Sequence, residues 1–393
     1  MTLHNNKGNT FLSLLLLIVI TLTNLSQLPF FVSQNITQIM VFPIWIFLLI
    51  YCILKNNAPQ VTGIKKIIIY LALFSILYFF LCLVDNSYSR SSLPYSIYIA
   101  TFILFVSTCL GKKINQTDLN NIYTIYIISS LILSIAIYSQ YIAGQSIESS
   151  IYLYEEKNSI SQILLTTLIL IFFTKLDNNS FFVKLFYITC AIFVIYELMA
   201  LKSRASIIGI PITLLFGIYN GNNNNLRKIS LIITSGIFIL FIIKPNLWQF
   251  IIDNVILASR DSVDLNDISS GRSNEWENFF KDWKFPLMGQ GRCKRESIIL
   301  TSLLEFGIIG GIPILLIALQ PLIFCIKKYK YLKSNINFII LFVISINYCI
   351  NGIFEQLAPF GPGVKCYFLW FLYGIITSMM YQSRKNKLNN THI

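Results

Sequence analysis

Residues 64–84 read IKKIIIYLALFSILYFFLCLV: two lysines, then eighteen residues from Ile67 to Val84 without a charge. At about 1.5 Å per residue such a stretch covers most of the ~30 Å hydrocarbon core of a bilayer, with Lys65 and Lys66 free to snorkel to the interface at one end. Runs of the same kind recur at about 11–31, 36–54, 93–111, 122–144, 159–174, 181–200, 205–220, 229–243, 297–326, 336–354 and 364–381, making twelve expected spans. The shorter runs can still cross where flanking Lys and Arg reach the interface. The run 11–31 is too long for a signal-peptide core and shows no small-residue cleavage site, so it is expected to remain as a helix.

Composition carries the same message for the whole chain. Of 393 residues, 55% are hydrophobic and 12% charged, against roughly 25% charged in soluble proteins. Mean hydropathy is +0.67. An ordinary solvated exterior cannot be built from so few charges, which excludes the soluble globular class. The net charge of +13 would suggest nucleic acid in a soluble domain. Here the basic residues sit in short gaps between apolar runs, where they act as topology signals and meet anionic lipid heads. No basic and aromatic stripe suits nucleic acid, and none is expected as a partner. Seven of the eight cysteines lie in or at the ends of apolar runs and only Cys293 sits in a long polar loop; this is neither a disulfide framework nor a zinc pattern.

The distribution of Lys and Arg tests the span count. With the N-terminus inside, seventeen fall in inner segments, from Lys7 to Lys387, and five in short outer loops: Arg90, Lys157, Lys202, Arg204 and Lys365. The other eight lie in one long outer loop. This asymmetry places both termini in the cytoplasm. The chain divides into 1–243 with nine helices, the loop 244–296, and 297–393 with three helices and a tail. The loop is about fifty residues long, and function concentrates in such segments. Trp248, Ile251, Ile252 and Val255 fall at helical spacing there, as do Trp276, Phe279, Phe280 and Trp283, with Pro286 as the stop. Two amphipathic helices lying on the membrane surface, or simply capping the bundle, are expected.

The outer side gathers Arg90, Lys202, Arg204, Arg260, Arg272, Arg292, Lys294 and Arg295. Cations where the topology rule expects few point to a lipid-linked phosphate or pyrophosphate, because guanidinium forks pair with its oxygens. Lipid head groups and ion pairs with Glu275, Asp282 or Glu296 are the alternative. Arg204 stands between two spans with almost no loop, and Glu197 is placed to hold it. Asp261, Asp264 and Asp267 read as solvated rather than as a metal site, Gly307 and Gly311 as a small-residue packing face, and Asn351 with Glu355 as a cavity lining or a helix cap.

Four elements, taken in order, resemble the O-antigen polymerase and O-antigen ligase superfamily. They are Ser203-Arg204 opening a span, Ser270-Gly271-Arg272 followed by Trp276, the turn Pro286-Leu287-Met288-Gly289-Gln290-Gly291, and Glu305-Phe306-Gly307-Ile308-Ile309-Gly310. The resemblance covers residues 195–315 and the span layout. It implies an all-α polytopic membrane protein of about twelve transmembrane helices, GT-C-like, with one large periplasmic loop. It also implies a bacterial inner-membrane glycosyltransferase that needs no metal, nucleotide sugar or other cofactor. The glycan would move from undecaprenyl pyrophosphate to a hydroxyl of an acceptor glycan with inversion, and a chain-length regulator would be a further partner. Arg204 and Arg272 would bind the pyrophosphate and stabilise its growing charge. Arg90, Lys202, Arg292, Arg295 and Glu305 would line the substrate surface.

In that superfamily a His commonly precedes the Glu-x-Gly element by about nine residues. Here that position holds Glu296, and His4 and His392 lie in the terminal tails. Glu296 is therefore expected to serve as general base for the acceptor hydroxyl, the alternative being an ion-pair partner of Arg292 or Arg295. The missing His favours a polymerase over a ligase. A lipid-linked oligosaccharide flippase is the rival of another class, but it needs deep charges and no long loop.

Overall fold

The computed structural model describes residues 3–34, 37–55, 59, 61–145, 153–154, 156–176, 180–219, 224–256, 272–293, 295–333, 335–361 and 366–390. Among them every regular element is helical, and twelve helices of thirteen residues or more coincide with the twelve apolar runs: α1 (Leu3–Leu25), α2 (Phe42–Leu54), α3 (Val61–Val84), α4 (Ser92–Leu110), α5 (Gln116–Ile137), α6 (Lys157–Thr174), α7 (Phe181–Ala200), α8 (Arg204–Tyr219), α9 (Asn224–Ile243), α10 (Ile298–Lys327), α11 (Ile336–Phe354) and α12 (Tyr367–Asn390). Eight of these, α3 to α7 and α9 to α11, are long and apolar enough to cross a membrane; α1, α2 and α8 offer shorter apolar stretches.

Local chemistry sets several ends. Ser91 accepts a hydrogen bond from the Leu93 N–H and starts α4, Asn115 and Asp118 form a capping box at α5, and Asn335 accepts from the N–H groups of Asn337 and Phe338 at α11, each satisfying orphan donors of a first turn. The first helix stops at Leu25 rather than running to Phe31. Pro29 lacks an N–H and opens a separate short helix, Pro29–Ser33, as proline does at a helix start.

Helices α4, α6 and α11 are mostly buried, whereas α3, α7 and α9 are mostly exposed. The exposed faces are apolar: Phe79, Phe80 and Leu83 on α3, Phe181, Phe182 and Ile192 on α7, Ile232, Phe238 and Ile242 on α9. Water would not tolerate so continuous a surface, and lipid does. The protein is thus membrane-embedded. Within the bundle α12 packs on α4, α10 on α3 and α11, and α8 on both α6 and α11. Gly209 approaches Asn347 and Phe216 approaches Phe342, so α8 runs antiparallel to α11.

The long loop departs from its expected form. The Trp276 segment is not one helix but two short pieces, Arg272–Glu277 and Phe279–Asp282, interrupted at Asn278 and finished well before Pro286. Phe279 turns inward onto Leu300 and Leu304 with Trp283 beside it, while Phe280 is exposed. The first segment, Pro245–Ile251, folds back so that Trp248 meets Phe241 at 5.3 Å. Arg260, Asp261, Asp264, Asp267, Ser270, Gly271, Lys294 and Lys365 lie outside the described residues.

Candidate functional site

The site is built on a break in α10. Gly307 adopts φ +63 and ψ −167 inside that helix, a left-handed-side conformation natural only to glycine. The expected small-residue packing face at Gly307 is therefore a kink. Two rungs of the helical ladder, Ile308 to Leu304 and Ile309 to Glu305, are open there, and the turn 286–291 fills them from both sides. Gln290 and Gly291 donate their N–H groups to the carbonyls of Leu304 and Glu305 at 2.9 and 3.2 Å, while Ile308 and Ile309 donate to the carbonyls of Pro286 and Leu287 at 2.8 and 3.2 Å. The Pro-Leu-x-Gly-x-Gly turn and the Glu-x-Gly element are thus one structure, a loop spliced into a helix. Each such bond contributes about 0.5–1.5 kcal/mol net.

Two further groups clamp the splice from the α3–α4 connection. The Tyr88 hydroxyl donates to the Gly289 carbonyl at 3.0 Å, and burial pushes that phenol above its ordinary pKa, keeping it protonated and donating. The Ser91 hydroxyl donates to one oxygen of Glu305 at 2.5 Å, and the Cys293 N–H donates to the other at 2.9 Å. Burial likewise raises the Cys293 thiol pKa. Phe306 is fully enclosed by Phe74, Tyr78 and Tyr88.

This arrangement corrects the reading of Glu305 as a surface for substrate. At 1% exposure, with each oxygen accepting an internal hydrogen bond, it holds the loop to the bundle. Glu305→Ala would strand the Ser91 hydroxyl and the Cys293 N–H, a loss of about 2–4 kcal/mol for two buried groups. We expect faster proteolysis within 285–296 and a lower melting temperature for Glu305→Ala, with Glu305→Gln intermediate because it keeps one acceptor. Equal cleavage rates in the wild type and both variants would refute the clamp.

From the splice the chain runs to Glu296, where the second cluster forms. Arg272 Nη2 lies 2.8 Å from the Glu296 carboxylate, and its guanidinium sits over the Phe354 ring at 5.9 Å. Glu275, one turn along the same short helix, accepts from the Glu296 N–H at 3.1 Å. Arg295 pairs with Asp282 at 2.6 Å. Two ion pairs and one backbone bond therefore strap 295–296 onto the two short helices and against the end of α11. The partner of Glu296 is Arg272, not the sequence neighbours Arg292 or Arg295, and this pair and that of Arg295 with Asp282 are ion pairs of the kind expected from the sequence as the alternative to a bound phosphate. The pairs are half-exposed, so each contributes about 0–1 kcal/mol; they set geometry more than stability.

Arg204 starts α8, in antiparallel packing with α11. A Cβ on Gly209 would touch Asn347, so Gly209 and Asn347 share a level, and moving about one turn toward the loop end brings α8 to Arg204 and α11 to Asn351. Arg204 thus stands at the level where α11 ends at Phe354, the residue beneath Arg272. Glu197 does not hold Arg204: it is fully buried and accepts from Ser134 of α5. Lys202 occupies the tight corner before α8 with φ 52 and a buried side chain. Arg90 and Arg292 are both exposed, on segments that meet where Gly291 packs against Ser87. Asn351 is buried and donates to the Asn347 carbonyl.

Sequence reasoning gave no role to Tyr88, Ser91 and Phe354, and singled out Cys293 only as the cysteine of the long polar loop. Ser91 carried a readable signal, a serine just before an apolar run with Pro94 in its first turn; the others carried none. Among the described residues no group of three His, Cys, Asp or Glu side chains could hold a metal ion. No protein-family model matches the chain, and no curated protein matches it.

Proposed function

We propose that the chain is a GT-C-like membrane glycosyltransferase of twelve crossings with both termini in the cytoplasm of a bacterial inner membrane, a polymerase of O-antigen or capsular repeat units. The observation that carries this reading is the direct contact of Arg272 with Glu296. These are the two side chains expected to act on one transfer, and Arg204 starts α8 at about the level where α11 ends at Phe354.

The chemistry follows from that placement. The acceptor hydroxyl gives its proton to the Glu296 carboxylate as its oxygen attacks the anomeric carbon. The bond from that carbon to the phosphate oxygen breaks, and undecaprenyl pyrophosphate leaves with the electron pair. Arg272 and Arg204 stabilise the charge on that leaving group; a well-placed donor commonly supplies ~3–4 kcal/mol at such a step. Before substrate arrives, Glu296 neutralises Arg272. The diphosphate then takes the guanidinium fork and frees the carboxylate for the acceptor. Glycan chemistry of this kind needs no cofactor, and the remaining cations Arg90 and Arg292 supply an anionic lipid-linked substrate with a basic approach.

Deleting the gene in its host and resolving the surface glycan on a gel tests the reading. We expect glycans with a single repeat unit and no ladder, restored by the wild-type gene. Free lipopolysaccharide core with intact lipid-linked polymer would make it a ligase. Repeat units trapped inside would make it a flippase, and an unchanged ladder would end the enzyme reading.

A further inference from the structure

At the end of the bundle remote from the splice, Leu215, Phe216, Tyr219, Leu332 and Phe342 line an apolar cavity of about 480 Å³. Its floor is the contact of Phe216 with Phe342, rings 5.1 Å apart and edge to face. Leu215 and Tyr219 are exposed on its rim. From the end of α8 at Tyr219 and the start of α11 at Ile336, the lining reaches inward by ~6–9 Å at about 1.5 Å per residue. The depression therefore runs from the polar boundary into the apolar depth, as an acyl chain does.

The rim is basic on both sides. Lys327 and Lys328 end α10, Lys330 lies on the short helix Tyr329–Lys333 that supplies Leu332, and Arg227 and Lys228 begin α9. A Cβ on Gly217 of α8 would touch Ser230 of α9, which brings Arg227 and Lys228 level with Tyr219. These five cations have no ion pair among the described residues. No acidic residue occurs between Glu197 and Asp253, or between Glu305 and Glu355. An apolar slot under a rim of five cations without an ion pair among the described residues fits a molecule with an apolar tail and an anionic head.

We propose that this groove binds one anionic phospholipid of the surrounding bilayer, its acyl chain against Leu215, Phe216 and Phe342 and its phosphate on Lys327, Lys328 and Lys330. The inference is independent of the catalytic reading. A bulk membrane lipid is the occupant because the rim residues Leu215 and Tyr219 are exposed on a bundle embedded in lipid and the slot lies at the opposite end from Arg272 and Glu296. The cations supply the head-group preference and the slot supplies retention.

The test is native mass spectrometry of the full-length protein taken from bilayers of phosphatidylglycerol and phosphatidylcholine in equal amounts. Wild type is expected to retain phosphatidylglycerol over phosphatidylcholine by about tenfold or more, since one to two cations at about 1 kcal/mol each already give tenfold. The triple replacement of Lys327, Lys328 and Lys330 by Ala should bring the two lipids to near parity without emptying the site. Leu215→Trp, a change at an exposed position that fills the slot, should lower retention of both. In wild type, a phosphatidylglycerol with a photoreactive acyl chain should label peptides containing Leu215 or Phe342, a readout that needs no variant. Equal retention of the two lipids by wild type, undiminished retention by Leu215→Trp, or labelling confined to other helices would overturn the proposal.

Discussion

Gly289→Ala is expected to cost on the order of 5 kcal/mol and to leave little folded protein in the membrane. Gly289 sits at φ +79, where an L side chain loses roughly 1–2 kcal/mol. The larger effect is steric. A Cβ there would overlap the carbonyl oxygen of Glu305 and the nitrogen of Gly307. Both are backbone atoms with no rotamer to escape through, so the turn must lift off α10. Lifting it breaks the four hydrogen bonds that fill the open rungs, at about 0.5–1.5 kcal/mol each, and leaves the rungs unsatisfied in an apolar setting. Gly307→Ala should behave alike, because its Cβ would strike the Leu287 carbonyl. Gly236→Ala is the control: nothing lies near a Cβ in that exposed part of α9, and helix propensity there favours alanine by up to ~1 kcal/mol. Melting temperature and the yield of folded protein in detergent decide the matter. A wild-type melting temperature for Gly289→Ala would show that the splice does not hold the loop.

The same splice shows where sequence ran ahead of structure and where it fell short. The apolar runs placed the helices because a run of that length has few other conformations in lipid. The four elements of the resemblance were visible as residue types in order. Their pairing was not visible. Nothing in Pro286-Leu287-Met288-Gly289-Gln290-Gly291 says that it fills rungs of a helix that begins seven residues later, and Gly307 reads as small-residue packing until its φ is known. Ion-pair partners suffered likewise. That outer cations pair with Asp282 or Glu296 is legible from charge, and the pairs of Arg272 with Glu296 and of Arg295 with Asp282 do form, but which cation takes which carboxylate is not, since Arg272 lies on a separate short helix across the loop. Glu197 was matched to Arg204 by proximity along the chain, whereas α5 supplies its actual donor. Charged partners are chosen by tertiary approach, and residue spacing along one element cannot give that.

For Arg272→Ala we expect glycan transfer to fall about 100- to 1000-fold, the loss typical of removing one preorganised donor at a developing charge. Arg272→Lys should recover little of it, since an ammonium offers neither the planar fork for two phosphate oxygens nor the flat face set over Phe354. The stability loss should stay small, because the ion pair, with Arg272 19% and Glu296 58% exposed, contributes about 0–1 kcal/mol and the contact with Phe354 about 0.5–1 kcal/mol. The loss of activity therefore cannot be charged to unfolding, and a melting curve alongside the assay establishes that. Glu296→Gln separates the two roles open to this residue. The amide keeps the shape, and the backbone bond to Glu275 survives, but proton acceptance is gone. If Glu296 is the base, Glu296→Gln falls as far as Arg272→Ala and the double variant falls little further, since residues serving one step are strongly non-additive. If Glu296 only parks Arg272, Glu296→Gln leaves turnover high and makes substrate bind more tightly, because the guanidinium no longer has to be released. Polymer ladders from cells carrying each variant, read beside initial rates with purified lipid-linked repeat units, distinguish these patterns. A near-normal ladder from Glu296→Gln removes the base assignment, and one from Arg272→Ala removes the transfer mechanism built on it.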